Sequence, residues 1–166
     1  MIEIRREEPR DAPAIREVNR RAFGQDQEAN IIDALRANGA ALLSLVATVE
    51  GVVVGHAMYS PASVGAVEGA ALGPIAVVPE HQRRGIGGRL IEAGNRMLAN
   101  TSCPFVIVLG HAAYYPRFGF LPARSRGIHC EWDVPDEAFM VLALDDAKMQ
   151  GVSGLAKYRD EFSTVS

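Results

Sequence analysis

The order of apolar runs along the 166-residue chain predicts an α/β domain with a mixed central sheet flanked by helices. Three observations support this fold class. The chain is long enough to bury most of its apolar surface as a single domain. Runs rich in β-formers alternate with segments of helical periodicity. One apolar run leads through a glycine-rich basic turn directly into a helix.

The N-terminal quarter predicts one strand and two helices. Residues 2–6 alternate as an edge strand, and residues 9–23 have the apolar periodicity of a helix that Gly24 ends. Asp26 can cap a second helix, which closes at residues 38–39 and whose apolar side chains face inward.

The next part of the chain predicts three strands. Residues 43–50 and 52–60 are rich in β-formers and are joined by a Glu-Gly turn, which is typical of a hairpin. The following strand, residues 70–78, contains Pro74. Because proline cannot donate to a strand ladder, Pro74 marks an edge or a bulge there.

The C-terminal half predicts a helix and further strands. The helix after the glycine turn has an apolar stripe, and its Gly94 permits close packing on the sheet. Residues 105–109 form a buried strand, and residues 120–122 and 139–144 form the last two strands. Residues 155–162 have a weak helical pattern.

The turn between residues 82 and 88 points to phosphate binding. Its three glycines lack Cβ atoms, so the N–H groups of residues 83–88 can surround an anion, assisted by the dipole of the next helix. The turn does not end in the Gly-Lys-Ser/Thr of a Walker A loop. It also has Leu90 where a dinucleotide fingerprint needs its third glycine. A phosphate site of another kind is therefore expected.

Two motifs indicate a family. The pattern Gln-x-x-Gly-x-Gly at residues 82–87, after the apolar residues 75–77, resembles the acetyl-CoA signature of the GNAT superfamily of N-acetyltransferases. Residues 114–120 are similar to the family's Tyr-x-x-x-Gly-Phe element, with Tyr115 at the position of its tyrosine. The paired tyrosines and residues 44–47, 55–56, 60–61 and 109–111 resemble the YhbS-like branch of predicted acetyltransferases. The similarity spans nearly the whole chain.

The resemblance implies the GNAT fold, a mixed sheet of about seven strands in which the fourth and fifth splay apart and coenzyme lies in the gap. It also implies a bulge in the fourth strand, and a backbone N–H of Ala76 or Val77 that binds the acetyl carbonyl. Tyr115 becomes the general acid for the departing thiolate, the alternative being a residue of the aromatic core; Tyr114 is expected to be the core residue of the pair. The cofactor-binding residues that it implies are Ile75, Ala76, Val77, Gln82, Arg83, Arg84, Gly85, Ile86, Gly87, Gly88 and Gly110.

The chain departs from the family pattern at the general base. Several members place a glutamate or histidine on the fourth strand, at positions that are Ala71 and Gly73 here and cannot take a proton. Glu28 and Glu68 are acidic candidates, although an exposed glutamate is usually only solvated. His111 lies at the mouth of the expected gap. We therefore predict Glu28 and His111 as substrate-binding residues.

Composition narrows the partners. A net charge of −3 gives neither a general basic surface for nucleic acid nor a polybasic arm for a membrane. The four histidines lack metal-ligand spacing, so no metal is expected. Cys103 and Cys130 form no CxxC motif, which favours free thiols and a cytoplasmic location. Neither a signal peptide nor a membrane span is recognised.

These observations predict an enzyme that transfers the acetyl group of acetyl-CoA to a primary amine by direct attack in a ternary complex. The amine is expected to be a small molecule or a peptide, and a homodimer is left open. Two alternatives remain, namely transfer of a longer acyl group and a non-catalytic acetyl-CoA-binding sensor. Residues 1–145 are assigned to the acetyltransferase domain and residues 146–166 to a C-terminal extension packed on it.

Overall fold

A computed structural model of the chain describes residues 1–163. Seven strands form the main path of one mixed sheet, in the order β1-β2-β3-β4-β5-β8-β6, and β9 pairs with both β3 and β7. The strands are β1 Ile2–Arg6, β2 Leu43–Val49, β3 Val52–Val64, β4 Val67–Val77, β5 Phe105–Leu109, β6 Leu121–Pro122, β7 Ile128–Cys130, β8 Phe139–Ala143 and β9 Gly154–Lys157. The helices are α1 Ala12–Phe23, α2 Gln27–Ala37, α3 Ile86–Ala99 and α4 Asp146–Met149.

Helices cover both faces of the sheet because β3 is apolar on both sides. Met58 packs in one cluster with residues of α1 and α2. The next residue, Tyr59, faces α3 and donates a hydrogen bond to Asn95 Oδ1 at 2.9 Å. A Cβ on Gly94 would overlap the Tyr59 ring, so the close approach predicted for this glycine is confirmed.

The two predicted N-terminal helices are present, but one of their caps differs. Gly24 ends α1 in the left-handed conformation with φ 69°, as expected. Asp26 occupies the N-cap position of α2, yet its carboxylate accepts no hydrogen bond from the helix. It pairs instead with Arg20 Nε at 2.7 Å. The predicted cap is therefore wrong, because the carboxylate is engaged by this cation.

Pro74 lies in a bulge, which is one of the two positions that its missing N–H allows and the one that the resemblance implies. Ala57 of β3 is opposite Ile75, whereas Tyr59 is opposite Leu72. Two residues of β4 therefore stand opposite one residue of β3. The bulge lies where β4 leaves its pairing with β5, beside the candidate site described below.

The C-terminal segment is not helical where the sequence suggests it. Residues 154–157 form β9, and Asp160–Phe162 forms a 3₁₀ turn, so the weak helical pattern at residues 155–162 was misleading. β9 pairs with the far end of β3, which continues to Val64, and with the unpredicted β7. A strand of three or four residues is too short for its apolar periodicity to be recognised in the sequence. β7 and β9 form because their backbone groups pair with each other and, for β9, with β3.

A partly buried hydrogen-bond network connects α2 to the sheet. Arg36 binds the Glu7 carboxylate at 2.8 and 3.0 Å, and Ser44 Oγ donates to the same carboxylate at 2.6 Å. Because that hydroxyl proton is used, Ser44 Oγ accepts from His56 Nε2 at 2.9 Å. Burial lowers the pKa of His56 to about 4, so the imidazole is neutral near pH 7.

Candidate active site

A groove opens where β4 and β5 separate. The two strands pair only through Ala70–Leu72 and Val106–Val108. Beyond these residues the space between them becomes a groove with a volume of about 1220 Å³. Its walls are the free part of β4, the glycine turn, residues 109–118, parts of α1 and α2, and aromatic residues from the C-terminal third. The expected separation of the fourth and fifth strands is present.

The glycine turn presents unpaired N–H groups to this groove. Helix α3 begins at Ile86, and its first internal hydrogen bond runs from Arg89 N to Gly85 O at 3.1 Å. The N–H groups of residues 86–88 therefore have no partner within the helix. Gly85 has φ 81°, and Arg83 adopts φ 63°, a conformation unusual for a residue with a side chain. An anion placed here would meet these donors and the positive end of the helix dipole.

Two glycines of the turn are needed for contact with an aromatic element. A Cβ on Gly87 would lie 3.0 Å from the Tyr114 hydroxyl, and one on Gly88 would lie 3.1 Å from the Phe118 ring. Both positions are tighter than ordinary van der Waals contact. The glycines thus let the 114–118 segment close one side of the turn.

Only one edge of β4 is paired beside the groove. Residues 75–77 pair with β3 alone and follow the bulge at residues 73–74, so their other edge faces the gap. Val78 N donates to Val54 O at 2.9 Å, towards β3. Because successive peptide groups of a strand point in opposite directions, the Val77 N–H points towards the groove and the Ala76 N–H towards β3. The Gln82 side chain donates to Val77 O at 2.9 Å and holds the turn against this strand.

Tyr115 is the more buried of the paired tyrosines. It is 7% exposed, and its ring contacts Tyr114 and Phe120 with centroids 5.1 and 5.7 Å apart. Burial raises the pKa of Tyr115 to about 12. Tyr114 is only half-buried and lies on the groove wall with the Arg117 guanidinium 4.7 Å above its ring. The expectation that Tyr114 is the core residue of the pair is therefore wrong.

The sequence-predicted site residues come together with one exception. All of them line the groove except Arg84, which is exposed and outside its wall. Glu28 and His111 both reach the groove, and the Glu28 carboxylate accepts from Gln25 Nε2 at 3.1 Å. Glu68 is exposed near the start of β4 and does not line the groove, so it is not a base for this site.

Several groove residues were missed from the sequence. Arg117 lies inside the recognised aromatic motif, and its positive charge there could have identified it as a groove residue near the glycine turn. Tyr114 and Phe118 belong to the same motif, and Leu109 belongs to the run at residues 109–111. Most of the remaining residues lie outside any motif, and no sequence signal identifies them as groove residues. Trp132, Tyr158 and Phe162 form an aromatic row, with centroids 4.8 Å apart for the first pair and 5.2 Å for the second. The remaining groove residues not predicted are Phe23, Ile31, Leu72, Gly73, Pro74, His81, Glu92, Leu109, Tyr114 and Phe118.

Residues 1–163 contain neither a metal-binding cluster nor a helix that could span a membrane. No three histidine, cysteine, aspartate or glutamate side chains in this range are grouped so that they could hold a metal ion. No helix in the same range is long and apolar enough to cross a membrane. Both cysteines are free thiols.

Comparisons with known proteins give one consistent result. The Acetyltransferase (GNAT) family model matches residues 3–120. The uncharacterized N-acetyltransferase YjhQ of Escherichia coli K12 is 43% identical over 134 residues, which cover 76% of this chain and 74% of YjhQ. The uncharacterized N-acetyltransferase YhbS of the same organism is 36% identical over 163 residues, covering 96% and 98% of the two chains.

Two solved structures resemble the fold over nearly its full length. The crystal structure of Escherichia coli YhbS in complex with CoA superposes with a TM-score of 0.95 at 34% identity, covering 99% of this chain and 93% of that one. A GNAT family acetyltransferase from Brucella melitensis in complex with acetyl-CoA gives a TM-score of 0.81 at 36% identity, covering 98% of each chain.

Proposed function

The chain belongs to the GNAT acetyltransferase family, and we propose that it transfers the acetyl group of acetyl-CoA to a primary amine by direct attack in a ternary complex. The observation that carries this proposal is the groove itself, which joins the glycine turn, the free edge of β4 and Tyr115. The CoA and acetyl-CoA complexes of the two similar structures support the choice of donor.

The phosphates of the coenzyme fit the basic end of the groove. The unpaired N–H groups of residues 86–88 and the guanidinium groups of Arg83 and Arg117 would bind them. Built on Gly85, a Cβ would meet no atom within 4 Å, so the turn has open space beside these donors. Arg84 lies outside the wall and has no assigned contact.

The acetyl carbonyl is polarised by the strand. The Val77 N–H faces the groove from a fixed position, since β4 is held by β3 on its other edge. A donor that is already oriented stabilises the oxyanion that develops as the amine attacks, without reorganisation during the reaction.

Tyr115 protonates the leaving thiolate in this proposal. The amine nitrogen bonds to the carbonyl carbon, the C–S bond breaks, the thiolate gains one proton and the nitrogen loses one. With a pKa of about 12, the phenol is neutral and can donate. Complete transfer to a thiol of pKa about 8.5 would be uphill by about 5 kcal/mol, so the phenol must recover a proton as the amine loses its own.

The proton of the amine does not leave to a side chain of β4. Ala71 and Gly73 have no group that takes a proton. Among the described residues, two carboxylates line the groove, that of Glu28 from α2 and that of Glu92 from α3. The pKa of the neighbouring Tyr114 phenol is raised by burial and by the Glu92 charge, which therefore acts on that phenol. We assign Glu28 to attracting the ammonium form and to receiving the proton directly or through water.

The test is product formation. Purified protein is mixed with acetyl-CoA and individual amines, and both thiol release and the acetylated amine, identified by mass spectrometry, are measured. Amine-dependent thiol release with a matching product is expected. Tight acetyl-CoA binding with no product from any amine would contradict the proposal and favour the sensor, whereas faster turnover of butyryl-CoA would favour the longer acyl group.

A further inference from the structure

The end of the groove away from the glycine turn is unusually aromatic. The Tyr158 ring contacts those of Trp132 and Phe162, and all three residues line the groove. Phe23, at the end of α1, also lines the groove and is 41% exposed. Aromatic side chains grouped in a concave site are stabilised when an apolar ligand covers them. This wall therefore has the composition of a binding site for a flat apolar group.

The two arginines of the described groove lie at its glycine-turn end together with Glu92, whose charge acts on Tyr114, whereas Glu28 lines the groove from α2. The arginines that line its described part, Arg83 and Arg117, belong to the glycine turn and to the segment that contacts it. Glu28 lines the groove from α2, beside the aromatic wall, and is half-exposed. A ligand at this end meets a carboxylate and aromatic faces, which attract a cation and repel an anion.

The Tyr158 hydroxyl adds a directional feature. It is buried and has no hydrogen-bond partner among the described residues, although its ring forms part of the groove wall. A buried hydroxyl without a partner is destabilising, so a ligand that pairs with it regains the missing hydrogen bond. Burial raises the pKa of Tyr158, and neighbouring Cys130 and Tyr115 raise it further. The hydroxyl is thus a neutral group near Tyr115.

We propose that the acceptor is a small primary amine attached through a short linker to a flat apolar ring, with no carboxylate next to the nitrogen. The ring packs on Trp132 and Phe162, Glu28 attracts the ammonium group, and the Tyr158 hydroxyl forms a hydrogen bond with the nitrogen. This assignment rests on the proposed acetyl transfer and names its substrate class. It makes the aromatic row a specificity determinant.

The binding test uses the single tryptophan of the chain as its probe. Because Trp132 is the only tryptophan, its fluorescence reports directly on this wall. The full-length protein is saturated with CoA, which prevents turnover, and titrated with 2-phenylethylamine, butylamine, spermidine and phenylalanine. We expect a saturable change with 2-phenylethylamine and at least about tenfold weaker binding of each of the others. Trp132→Phe removes the signal and is the control for its origin.

Two variants separate the parts of the proposal. In Glu28→Gln, 2-phenylethylamine should bind more weakly and the difference from phenylalanine should shrink, because the repelling charge is gone. In Tyr158→Phe, kcat/KM for 2-phenylethylamine should fall about tenfold while Tm stays unchanged or rises, since no internal hydrogen bond is lost. A Tm that falls together with kcat/KM would show a structural role and overturn the assignment of the hydroxyl.

The outcomes distinguish this inference from the proposed function. Acetylation of butylamine or spermidine as efficiently as 2-phenylethylamine would overturn the substrate class and leave acetyl transfer standing. A preference for phenylalanine would overturn the charge argument. If no amine binds or is acetylated although acetyl-CoA binds, the proposed function itself fails.

Discussion

Replacing Tyr115 with phenylalanine isolates the proposed acid. Phenylalanine retains the ring and its contacts with Tyr114 and Phe120. Folding should therefore change little. With a pKa of about 12 the phenol is fully protonated near pH 7, so the substitution removes a donor present in every enzyme molecule. We expect kcat to fall about 100-fold while the KM for acetyl-CoA changes less than about threefold.

The matched control is Tyr114→Phe, which removes a hydroxyl from the neighbouring ring on the same wall. It should alter kcat by less than about threefold, because Tyr114 has no role in the proposed proton transfer. Initial rates of thiol release give both constants, and Tm confirms that each variant is folded. A fall of less than about threefold in Tyr115→Phe, or equal losses in the two variants, would refute the assignment and make His111 or solvent the donor.

Three other predictions follow from the groove and the core. Gly87→Val should weaken acetyl-CoA binding by at least about 1.4 kcal/mol in calorimetry, since even a Cβ lies 3.0 Å from the Tyr114 hydroxyl; unchanged affinity would exclude a tight turn. Lowering pH from 7 to 4.5 should remove about 2 kcal/mol of stability through His56, whose folded pKa of about 4 lies below its unfolded value, so that the unfolded chain binds the extra proton. Urea unfolding of wild type and His56→Gln tests this, and identical pH slopes would contradict it. If the amine arrives neutral, the pH profile of kcat/KM should follow the pKa of each amine used; if Glu28 accepts the proton, an enzyme pKa should appear and vanish in Glu28→Gln. A pKa that stays fixed across amines and survives this substitution would indicate a different base.

The partly buried hydrogen-bond network contributes to the site by fixing α2 and β4, which form part of the groove wall. Glu7 remains ionised although burial disfavours its charge, because hydrogen bonds from Arg36 and Ser44 lower its pKa. The network runs from α2, which carries Glu28, through Ser44 of β2 to His56 on β3. His56 is opposite Ala76 in the strand register, so the same network supports the segment of β4 that lines the groove.

Local sequence signals predicted much of the fold. The turn at residues 82–88 was recognisable because each of its requirements concerns adjacent residues, namely small side chains, a helix start and basic charge. The hairpin, the bulge at Pro74 and the end of α1 at Gly24 are likewise fixed by residues next to one another, and all three are present. The burial of the paired tyrosines was harder to predict, because the two side chains are identical. Only the packing of Tyr115 on Phe120 decides which of them is buried.

The sequence by itself determined the fold class, the family and the glycine-turn side of the groove. Only the tertiary structure decided which distant residues complete its wall, since it places Phe23, Trp132, Tyr158 and Phe162 on the same groove. It also decided that Val77 rather than Ala76 turns its N–H towards the groove, since that depends on pairing with β3. The physical reason is the range of the interactions. The glycine turn is specified within a few neighbouring residues. The aromatic wall forms only when β7 pairs with β9, because this pairing brings Trp132 next to Tyr158.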